Sequence, residues 1–225
     1  MKAMVLAAGR GERLRPLTDR LPKPLLEAGG KALLAWQLER LAAAGFREVV
    51  INVAHLAERI LERFGTGSEW GVAIAWSREP APLGTAGAIA QARALLGEAP
   101  FALVNADVYT DYDLARLRRV ALGERLAHLV LVPNPPHHPA GDFALAGERL
   151  VVEGAPRYTY AGIAVLAPRL VDGIAPGTHS PLGPLLGAAA ARGLAAAELH
   201  RGYWCDAGTA ERLAALDRHL RERKA

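Results

Sequence analysis

The sequence predicts an α/β fold in which helices flank a mixed, mostly parallel central sheet. Short apolar runs of strand length alternate with segments whose apolar residues recur at helical spacing. The runs are apolar throughout, as in strands that are buried on both faces of a parallel sheet. The chain has 225 residues, of which 51% are hydrophobic and 22% charged, so it can bury the full core that this fold requires.

In the first half of the chain, strands and helices alternate. Apolar runs predict strands at residues 4–6, 49–53, 72–76 and 101–107. Helices are predicted around Leu34, Leu38 and Leu41, which recur at one-turn spacing, then at residues 55–64 and 85–96. Gly45 offers a stop for the first helix, and Thr85 is a candidate N-cap for the third.

The second half of the chain predicts more strands and a small hairpin. A helix capped by Thr110 or Asp111 precedes strand 127–132, and residues 142–145 and 150–153 form a β-hairpin that turns at Gly147. Strands at 158–166 and 199–206 enclose a helix at 181–193. A final helix begins at the N-cap Thr209.

Composition narrows the classes of function. The single cysteine excludes an internal disulfide, and the apolar runs are too short to span a bilayer. Arg10 and Arg13 interrupt the N-terminal apolar run, so we expect a cytoplasmic protein without a membrane partner. The net charge of +4 would attract anionic substrates. The arginines are nevertheless scattered, and no basic-aromatic motif indicates a nucleic-acid partner.

A loop of small residues follows the first predicted strand. Small side chains leave room for a flat base or ribose against the backbone, and successive amides in a glycine turn can bind an anion. Three cations follow, as a polyphosphate requires. The simpler alternative is a glycine turn with solvated arginines. These candidate nucleotide-binding residues are Leu6, Ala7, Ala8, Gly9 and Gly11, with the cations Arg13, Arg15 and Lys23.

The spacing of this loop excludes two familiar nucleotide motifs. A leucine, Leu14, stands where the dinucleotide fingerprint needs its third glycine, and no P-loop pattern occurs in the chain. A second loop contains Pro82, Gly84 and Thr85 and enters the helix at 85–96, which also suits a nucleotide. Its alternative interpretation is a simple turn.

Polar residues follow the strand at 101–107. Asn105 and Asp107 lie at its carboxyl end, the edge where ligands bind in open parallel sheets. Asp107, Asp111 and Asp113 do not form a calcium-binding loop. Their spacing is wrong, Tyr112 replaces the required glycine, and the terminal glutamate is missing. We therefore interpret Asp107 as a ligand candidate and the other two aspartates as residues that start a helix.

Two other polar groups suggest metal chemistry. His137 and His138 are adjacent in a proline-rich loop without the ligand spacing of zinc sites, so a solvated or substrate-edge loop is favoured. Asp206 precedes the last helix, where Thr209 is better placed to cap. Asp206 is thus left free of a capping role.

The opening loop resembles the signature of the sugar-phosphate nucleotidyltransferases, also called sugar-nucleotide pyrophosphorylases. This resemblance extends over the whole chain and implies one Rossmann-like domain over residues 1–225. It would comprise a nucleotide part at 1–107, a sugar part with the hairpin insertion at 108–206 and a helix at 209–222. The motif consists of Leu6-Ala7-Ala8-Gly9-x-Gly11-x-Arg13-x-x-Pro16-Leu17-Thr18 and Pro22-Lys23-Pro24-Leu25.

The resemblance implies a role for each candidate. Arg13 would bind the β- and γ-phosphates of a nucleoside triphosphate, and Lys23 the α-phosphate and transition state. Asp107 and Asp206 would bind Mg²⁺. The implied sugar-binding residues are Asn105, Asp142, Glu153 and Gly162, and the implied nucleotide-binding residues are Leu6, Ala7, Ala8, Gly9, Gly11, Arg13, Lys23, Pro82, Gly84, Thr85 and Asp107.

The substrates implied depend on the branch of the family. The motifs around Asp107, His137 and Trp204 resemble the branch that uses UTP and N-acetylmuramate 1-phosphate in peptidoglycan recycling. The segment Gly84-Thr85-Ala86-Gly87 instead resembles the mannose-1-phosphate guanylyltransferase branch. A non-catalytic regulatory subunit that binds a nucleotide or sugar phosphate is a third hypothesis. The oligomeric state is left open.

Overall fold

The computed structural model describes residues 1–223 of the chain. The strands are β1 Ala3–Leu6, β2 Glu27–Ala28, β3 Lys31–Ala32, β4 Glu48–Val53, β5 Ala73–Arg78, β6 Phe101–Asn105, β7 Val108–Thr110, β8 Ala127–Val132, β9 Phe143–Ala146, β10 Arg149–Val151, β11 Arg157–Leu166, β12 Ala195–Leu199 and β13 Trp204–Asp206.

The helices lie between these strands. They are α1 Leu17–Arg20, α2 Leu33–Ala43, α3 Ala57–Phe64, α4 Gly84–Gln91, α5 Arg93–Leu96, α6 Gly183–Ala191 and α7 Ala210–Glu222, with 3₁₀ turns at Glu12–Leu14, Lys23–Leu25, Ser68–Trp70, Leu114–Arg119 and Pro168–Val171. Within residues 1–223, no helix has the length and apolar character needed to cross a membrane.

The central sheet is mixed, with strand order β5-β4-β1-β6-β11-β8-β12-β10-β9. Its first four strands are parallel. Strand β11 runs antiparallel to both β6 and β8, and β12 runs parallel to β8. The predicted α/β class, with helices around a mixed sheet, is confirmed, and the four consecutive parallel strands come from the N-terminal half of the chain.

Both faces of the sheet are buried, as the uninterrupted apolar runs predict. Val5 and Ile51 pack with helices α2 and α3 in one core. Their neighbours Met4 and Val50 point to the opposite core, on the side of α4 and α6, because successive strand residues alternate faces. All four side chains are at most 1% exposed.

The topology creates a crevice beside β1. Strand β4 lies on one side of β1, and β6 lies on the other. Ligands bind outside the carboxyl ends of strands at such a switch in strand order. The loops that follow β1 and β6 therefore meet at one edge of the sheet, which we call the carboxyl edge.

A small second sheet brings a distant aspartate to the same edge. Strand β7 follows β6 closely and pairs antiparallel with β13, so that Asp206 lies opposite Val108. The N–H of Ala207 also donates to the carbonyl oxygen of Asp107, at 2.8 Å. Asp107 and Asp206 are thus neighbours in space although 99 positions (206 − 107) separate them in sequence.

Three predicted elements differ from the structure. The helix predicted at 85–96 begins at Gly84, and residue Ala92 separates α4 from α5. Thr85 is not its N-cap, because Thr85 lies inside α4 and Leu83 is at the N-cap position. Of the strand predicted at 199–206, only Leu199 and Trp204–Asp206 are in strands. Leu199 ends β12, which begins at Ala195, before the predicted bounds, and Trp204–Asp206 form β13.

The third difference concerns the residue that caps the helical segment before β8. Thr110 belongs to β7, and Asp111 pairs with His200. The 3₁₀ turn Leu114–Arg119 is capped by Asp113, whose side chain accepts from the N–H of Ala115. The hairpin of β9 and β10 and the Thr209 cap of α7 are as predicted.

Candidate active site

A cavity of about 820 Å³ opens at the carboxyl edge. Its walls come from the loop after β1, the end of β4, the loop before α4 and the end of β6. All the nucleotide-binding residues that the family resemblance implies line it, together with Asn105, namely Leu6, Ala7, Ala8, Gly9, Gly11, Arg13, Lys23, Pro82, Gly84, Thr85, Asn105 and Asp107. Arg15 does not line it and instead lies 3.2 Å from Asp19, near the surface.

The two glycines of the opening loop have different roles. Gly11 has φ +66°, and a Cβ there would lie 2.8 Å from the Thr18 side chain, so the turn requires glycine. The Thr18 hydroxyl donates to the Gly11 carbonyl and closes the loop. A Cβ on Gly9 would meet no atom within 4 Å, because that position faces the open cavity.

A buried hydrogen-bond bridge, which the sequence analysis does not predict, connects the two loops. The Asn52 side chain accepts from the N–H of Ala7 at 2.9 Å and donates to Glu79 at 2.7 Å. Glu79 also accepts from the N–H of Leu83 at 3.0 Å. Burial raises the pKa of Glu79, whereas its two donors favour the ionised form. In the sequence, the indication of this bridge is Asn52, a polar residue inside the apolar run of β4.

Two backbone amides in the first turn of α4 are hydrogen-bonded within the protein. The carbonyl oxygen of Ser180 accepts from the N–H groups of Ala86 and Gly87, at 3.0 and 3.1 Å. A Cβ on Gly84 would lie 2.6 Å from this oxygen, so close approach requires glycine. These two amides are therefore not available for an anion, although Gly84 and Thr85 line the cavity.

Each predicted metal-binding carboxylate has a cationic neighbour. Lys23 Nζ forms an ion pair with Asp107. Asp206 Oδ2 lies 3.1 Å from Arg212 Nη2, and its Oδ1 lies 3.2 Å from His137 Nε2. Neither Asp206 Oδ1 nor Arg212 Nη2, both buried, has a partner in hydrogen-bond geometry within the described residues. His137 and Arg212 are contacts that the sequence did not reveal, because each depends on long-range folding.

The two carboxylates fit a hard divalent cation. Within residues 1–223, no group of three or more histidines, cysteines or acidic residues is arranged to hold a metal alone. Mg²⁺ needs only one or two carboxylates when waters and substrate phosphates complete its shell. Asp107, in the cavity lining, and the unpartnered oxygen of the neighbouring Asp206, which is outside that lining, provide that donor set.

The predicted sugar-binding residues are more dispersed. Asn105 lines the cavity and packs against Gly162, where a Cβ would lie 2.6 Å from Asn105 Nδ2. Asp142 accepts from the N–H of Tyr160 at 2.7 Å and thereby braces the hairpin. Glu153 is exposed beyond β10. Asp142, Glu153 and Gly162 are outside the cavity lining.

The sequence is similar to a family of nucleotidyl transferases and to individual enzymes that act on sugar phosphates. The family model described as nucleotidyl transferase matches residues 2–146. N-acetylmuramate alpha-1-phosphate uridylyltransferase of Neisseria meningitidis serogroup B is 49% identical over 220 residues, which cover 95% of each chain. Mannose-1-phosphate guanyltransferase of Schizosaccharomyces pombe is 38% identical over 191 residues, or 78% of this chain and 52% of that protein.

A solved structure shows the same fold. It is that of a protein assigned as a glucose-1-phosphate thymidylyltransferase from Bacillus anthracis, in complex with sucrose. The TM-score is 0.87, with 99% of this chain and 96% of the other covered. Because only 20% of the residues are identical, this likeness concerns the fold alone.

Proposed function

The chain belongs to the nucleotidyl transferase family, and we propose that it transfers the uridylyl group of UTP to N-acetylmuramate 1-phosphate with Mg²⁺. The observation that carries this proposal is the 49% identity to the meningococcal uridylyltransferase over 95% of both chains. Nucleotidyl transfer to a sugar 1-phosphate is the reaction class named for both that relative and the guanyltransferase. The products are a nucleoside-diphosphate sugar and pyrophosphate.

The reaction needs no protein nucleophile. A phosphate oxygen of the sugar 1-phosphate attacks the α-phosphorus, and the bond from that phosphorus to the bridging oxygen of the β-phosphate breaks. The electron pair leaves with pyrophosphate. The attacking group is already an anion, so the protein must bring negative groups together and stabilise the charge that develops.

We assign the charge stabilisation to the cations of the opening loop. Arg13 binds the β- and γ-phosphates, and Lys23 binds the α-phosphate through the transition state. The ion pair with Asp107 supports this assignment, since it holds Lys23 at the cavity wall before substrate enters. Bound Mg²⁺, held by Asp107 and Asp206, would supply further positive charge at the phosphates.

Guanylyl transfer to mannose 1-phosphate is the second candidate. The segment Gly84-Thr85-Ala86-Gly87 and the fission-yeast relative favour it. The chain spans about half of that relative's length, 52%, whereas it spans 95% of the uridylyltransferase. The uridylyl reaction therefore has the stronger support.

A pyrophosphate-release assay tests the proposal. Four nucleoside triphosphates would each be paired with the 1-phosphates of N-acetylmuramate, mannose and glucose, with Mg²⁺ and with a chelator. We expect the highest kcat/KM for UTP with N-acetylmuramate 1-phosphate and no turnover after chelation. A preference for GTP with mannose 1-phosphate would overturn the substrate assignment, and binding without turnover in every pair would favour a regulatory subunit.

A further inference from the structure

The loop of residues 133–141 lies at the same edge of the sheet as the cavity, although none of its residues is in the cavity lining. Strand β11 is antiparallel to both β6 and β8, so β6 and β8 run in the same direction. The loop that follows β8 therefore emerges at the carboxyl edge. It lies beyond β6 and β11, whereas the nucleotide loops follow β1 and β5.

This loop has a defined shape, centred on Asn134. The Asn134 amide donates to the carbonyl oxygens of Pro139 and Arg157, at 3.0 and 3.1 Å, and its oxygen accepts from the Thr159 hydroxyl. Gly141 has φ +62°, and a Cβ there would lie 2.7 Å from Asn134 Oδ1. The loop is thus closed tightly around one partly buried amide.

The two adjacent histidines of the loop have different directions. His138 Nε2 lies 3.1 Å from Asp142 Oδ1 and helps to brace the loop. His137 instead directs Nε2 to within 3.2 Å of Asp206 Oδ1, with 38% of its side chain exposed. The contact lacks hydrogen-bond geometry, because Asp206 Oδ1 has no hydrogen-bond partner among the described residues. The imidazole therefore lies beside Asp206, one of the two proposed metal ligands, without a hydrogen bond to that carboxylate.

We propose that His137 binds the phosphate of the sugar 1-phosphate, with its Nε2–H donating to a non-bridging phosphate oxygen. This inference rests on the proposed function. An in-line reaction requires the attacking phosphate to approach the α-phosphorus from the side opposite the departing pyrophosphate. Arg13 and Lys23 belong to the loop after β1, so the attacking phosphate enters beside Asp206, where His137 supplies a donor.

The simplest alternative is that His137 only covers Asp206. In that case its removal would expose a metal ligand but would not weaken sugar-phosphate binding. A second alternative is a contact with the triphosphate, which would change the affinity for the nucleotide instead. The two substrates must therefore be examined separately.

Three substitutions at this position provide the test. His137→Ala removes the donor, His137→Gln places an amide nitrogen near the position of Nε2, and His137→Asn places one nearer to Nδ1. We expect His137→Ala and His137→Asn to raise KM for the sugar 1-phosphate about tenfold or more, because a hydrogen bond to a charged group is lost. KM for the nucleoside triphosphate should stay within about twofold, and His137→Gln should restore most of the loss.

The reverse reaction gives an independent measurement. With nucleoside-diphosphate sugar and pyrophosphate as substrates, KM for pyrophosphate should be the same in wild type and His137→Ala. Equal increases in KM for both forward substrates, or unchanged KM for the sugar 1-phosphate in a folded His137→Ala variant, would overturn the proposal. A rescue by Asn but not by Gln would also overturn it, because the donor would then be Nδ1.

Failure of the proposed function would have a different signature. The inference concerns the phosphate that all sugar 1-phosphates share, so the assays use whichever nucleotide and sugar pair the wild-type protein prefers. A wild type that prefers GTP and mannose 1-phosphate would refute the substrate assignment and leave this test intact. The His137 proposal is refuted only by an active wild type whose variants do not show the expected KM pattern.

Discussion

Lys23 is the residue whose charge matters most for the proposed chemistry. Only 14% of its side chain is exposed, and its ammonium is paired with Asp107 at the cavity wall. A cation held in place before the reaction stabilises developing charge without reorganisation. Its restricted setting, between Pro22 and Pro24, is consistent with this role.

We expect Lys23→Ala to lower kcat about 100- to 1,000-fold, as the loss of one preorganised charge-stabilising group does. Lys31→Ala is the matched control, because Lys31 also forms an ion pair, with Glu39 at 2.7 Å, but is outside the cavity lining. Steady-state kinetics would measure kcat for both variants. Near-normal turnover in folded Lys23→Ala would contradict the role of Lys23 in stabilising the transition state.

Gly9 allows the proposed position of the nucleoside to be tested by adding one methyl group at the cavity wall. A Cβ there meets no protein atom within 4 Å, so Gly9→Ala should not change the free energy of unfolding by more than about 0.5 kcal/mol. The methyl group would nevertheless occupy space assigned to the nucleoside. We expect KM for the nucleoside triphosphate to rise about tenfold.

Gly183→Ala is the control for that experiment. Its Cβ would also meet no atom within 4 Å, and Gly183 lies at the start of α6, away from the cavity lining. Urea unfolding and initial-rate kinetics would be measured on both variants. Equal KM values in the two would contradict the placement of the nucleoside against Gly9.

At the scale of elements, the Asn52 and Glu79 bridge joins the end of β4 to the two loops that we propose bind the nucleotide. Asn52 is 3% exposed and Glu79 is 6% exposed, so neither can exchange its partner for water. The bridge fixes the distance between the loop after β1 and the loop before α4. Nucleotide binding should therefore depend on Asn52, a polar residue that follows three apolar neighbours in β4.

Asn52→Ala should destabilise the fold by about 2 kcal/mol, because the N–H of Ala7 and one oxygen of Glu79 lose their buried partner. Movement of the two loops should also raise KM for the nucleoside triphosphate. Denaturant unfolding with parallel kinetics would measure both effects. An Asn52→Ala protein with wild-type stability and wild-type KM would show that the bridge has no role in positioning.

Most elements are predictable because their signals are local. The apolar runs of β1, β4, β6 and β8 and the leucine spacing of α2 predict elements that the structure contains. The errors arise where a distant group intervenes. The Ser180 carbonyl accepts from the first amides of α4, where the sequence predicts a Thr85 cap. Residues 200–203 of the predicted strand connect β12, which pairs with β8, to β13, which pairs with β7.

At the scale of the whole molecule, the same distinction applies to the site. Most of the predicted nucleotide-binding residues belong to two continuous segments, the loop after β1 and the loop before α4, so that each can be recognised locally. The structure brings both segments to one cavity. The placement of His137 and Arg212 against Asp206 depends on strand order and on Gly208, where a Cβ would lie 2.0 Å from Arg212 Nη2. No local pattern carries that information.

A polar cluster on β8, β12 and the segment after β7 contributes to stability. A hydrogen bond from His128 lowers the pKa of Glu198 to about 2, and the Tyr112 hydroxyl and Arg116 act in the same direction. A depressed carboxyl pKa stabilises the fold above the ordinary value of 4.5, and this stabilisation is lost as pH falls towards about 2.

Glu198→Gln should therefore lower the free energy of unfolding at pH 7 by about 2 kcal/mol and weaken its dependence on pH in the acid range. Urea unfolding between pH 7 and pH 3 would measure this. Glu148→Gln, at an exposed position in the β9–β10 turn, is the control. Parallel stability curves for Glu198→Gln and wild type would contradict the account.

Isotope transfer tests the central claim of nucleotidyl transfer most directly. UTP labelled with ³²P at either the α- or the γ-phosphate would be incubated with the protein, Mg²⁺ and N-acetylmuramate 1-phosphate. We expect the α-label in the nucleoside-diphosphate sugar and the γ-label in pyrophosphate. Appearance of the γ-label in inorganic phosphate, with no α-label in a sugar product, would contradict nucleotidyl transfer.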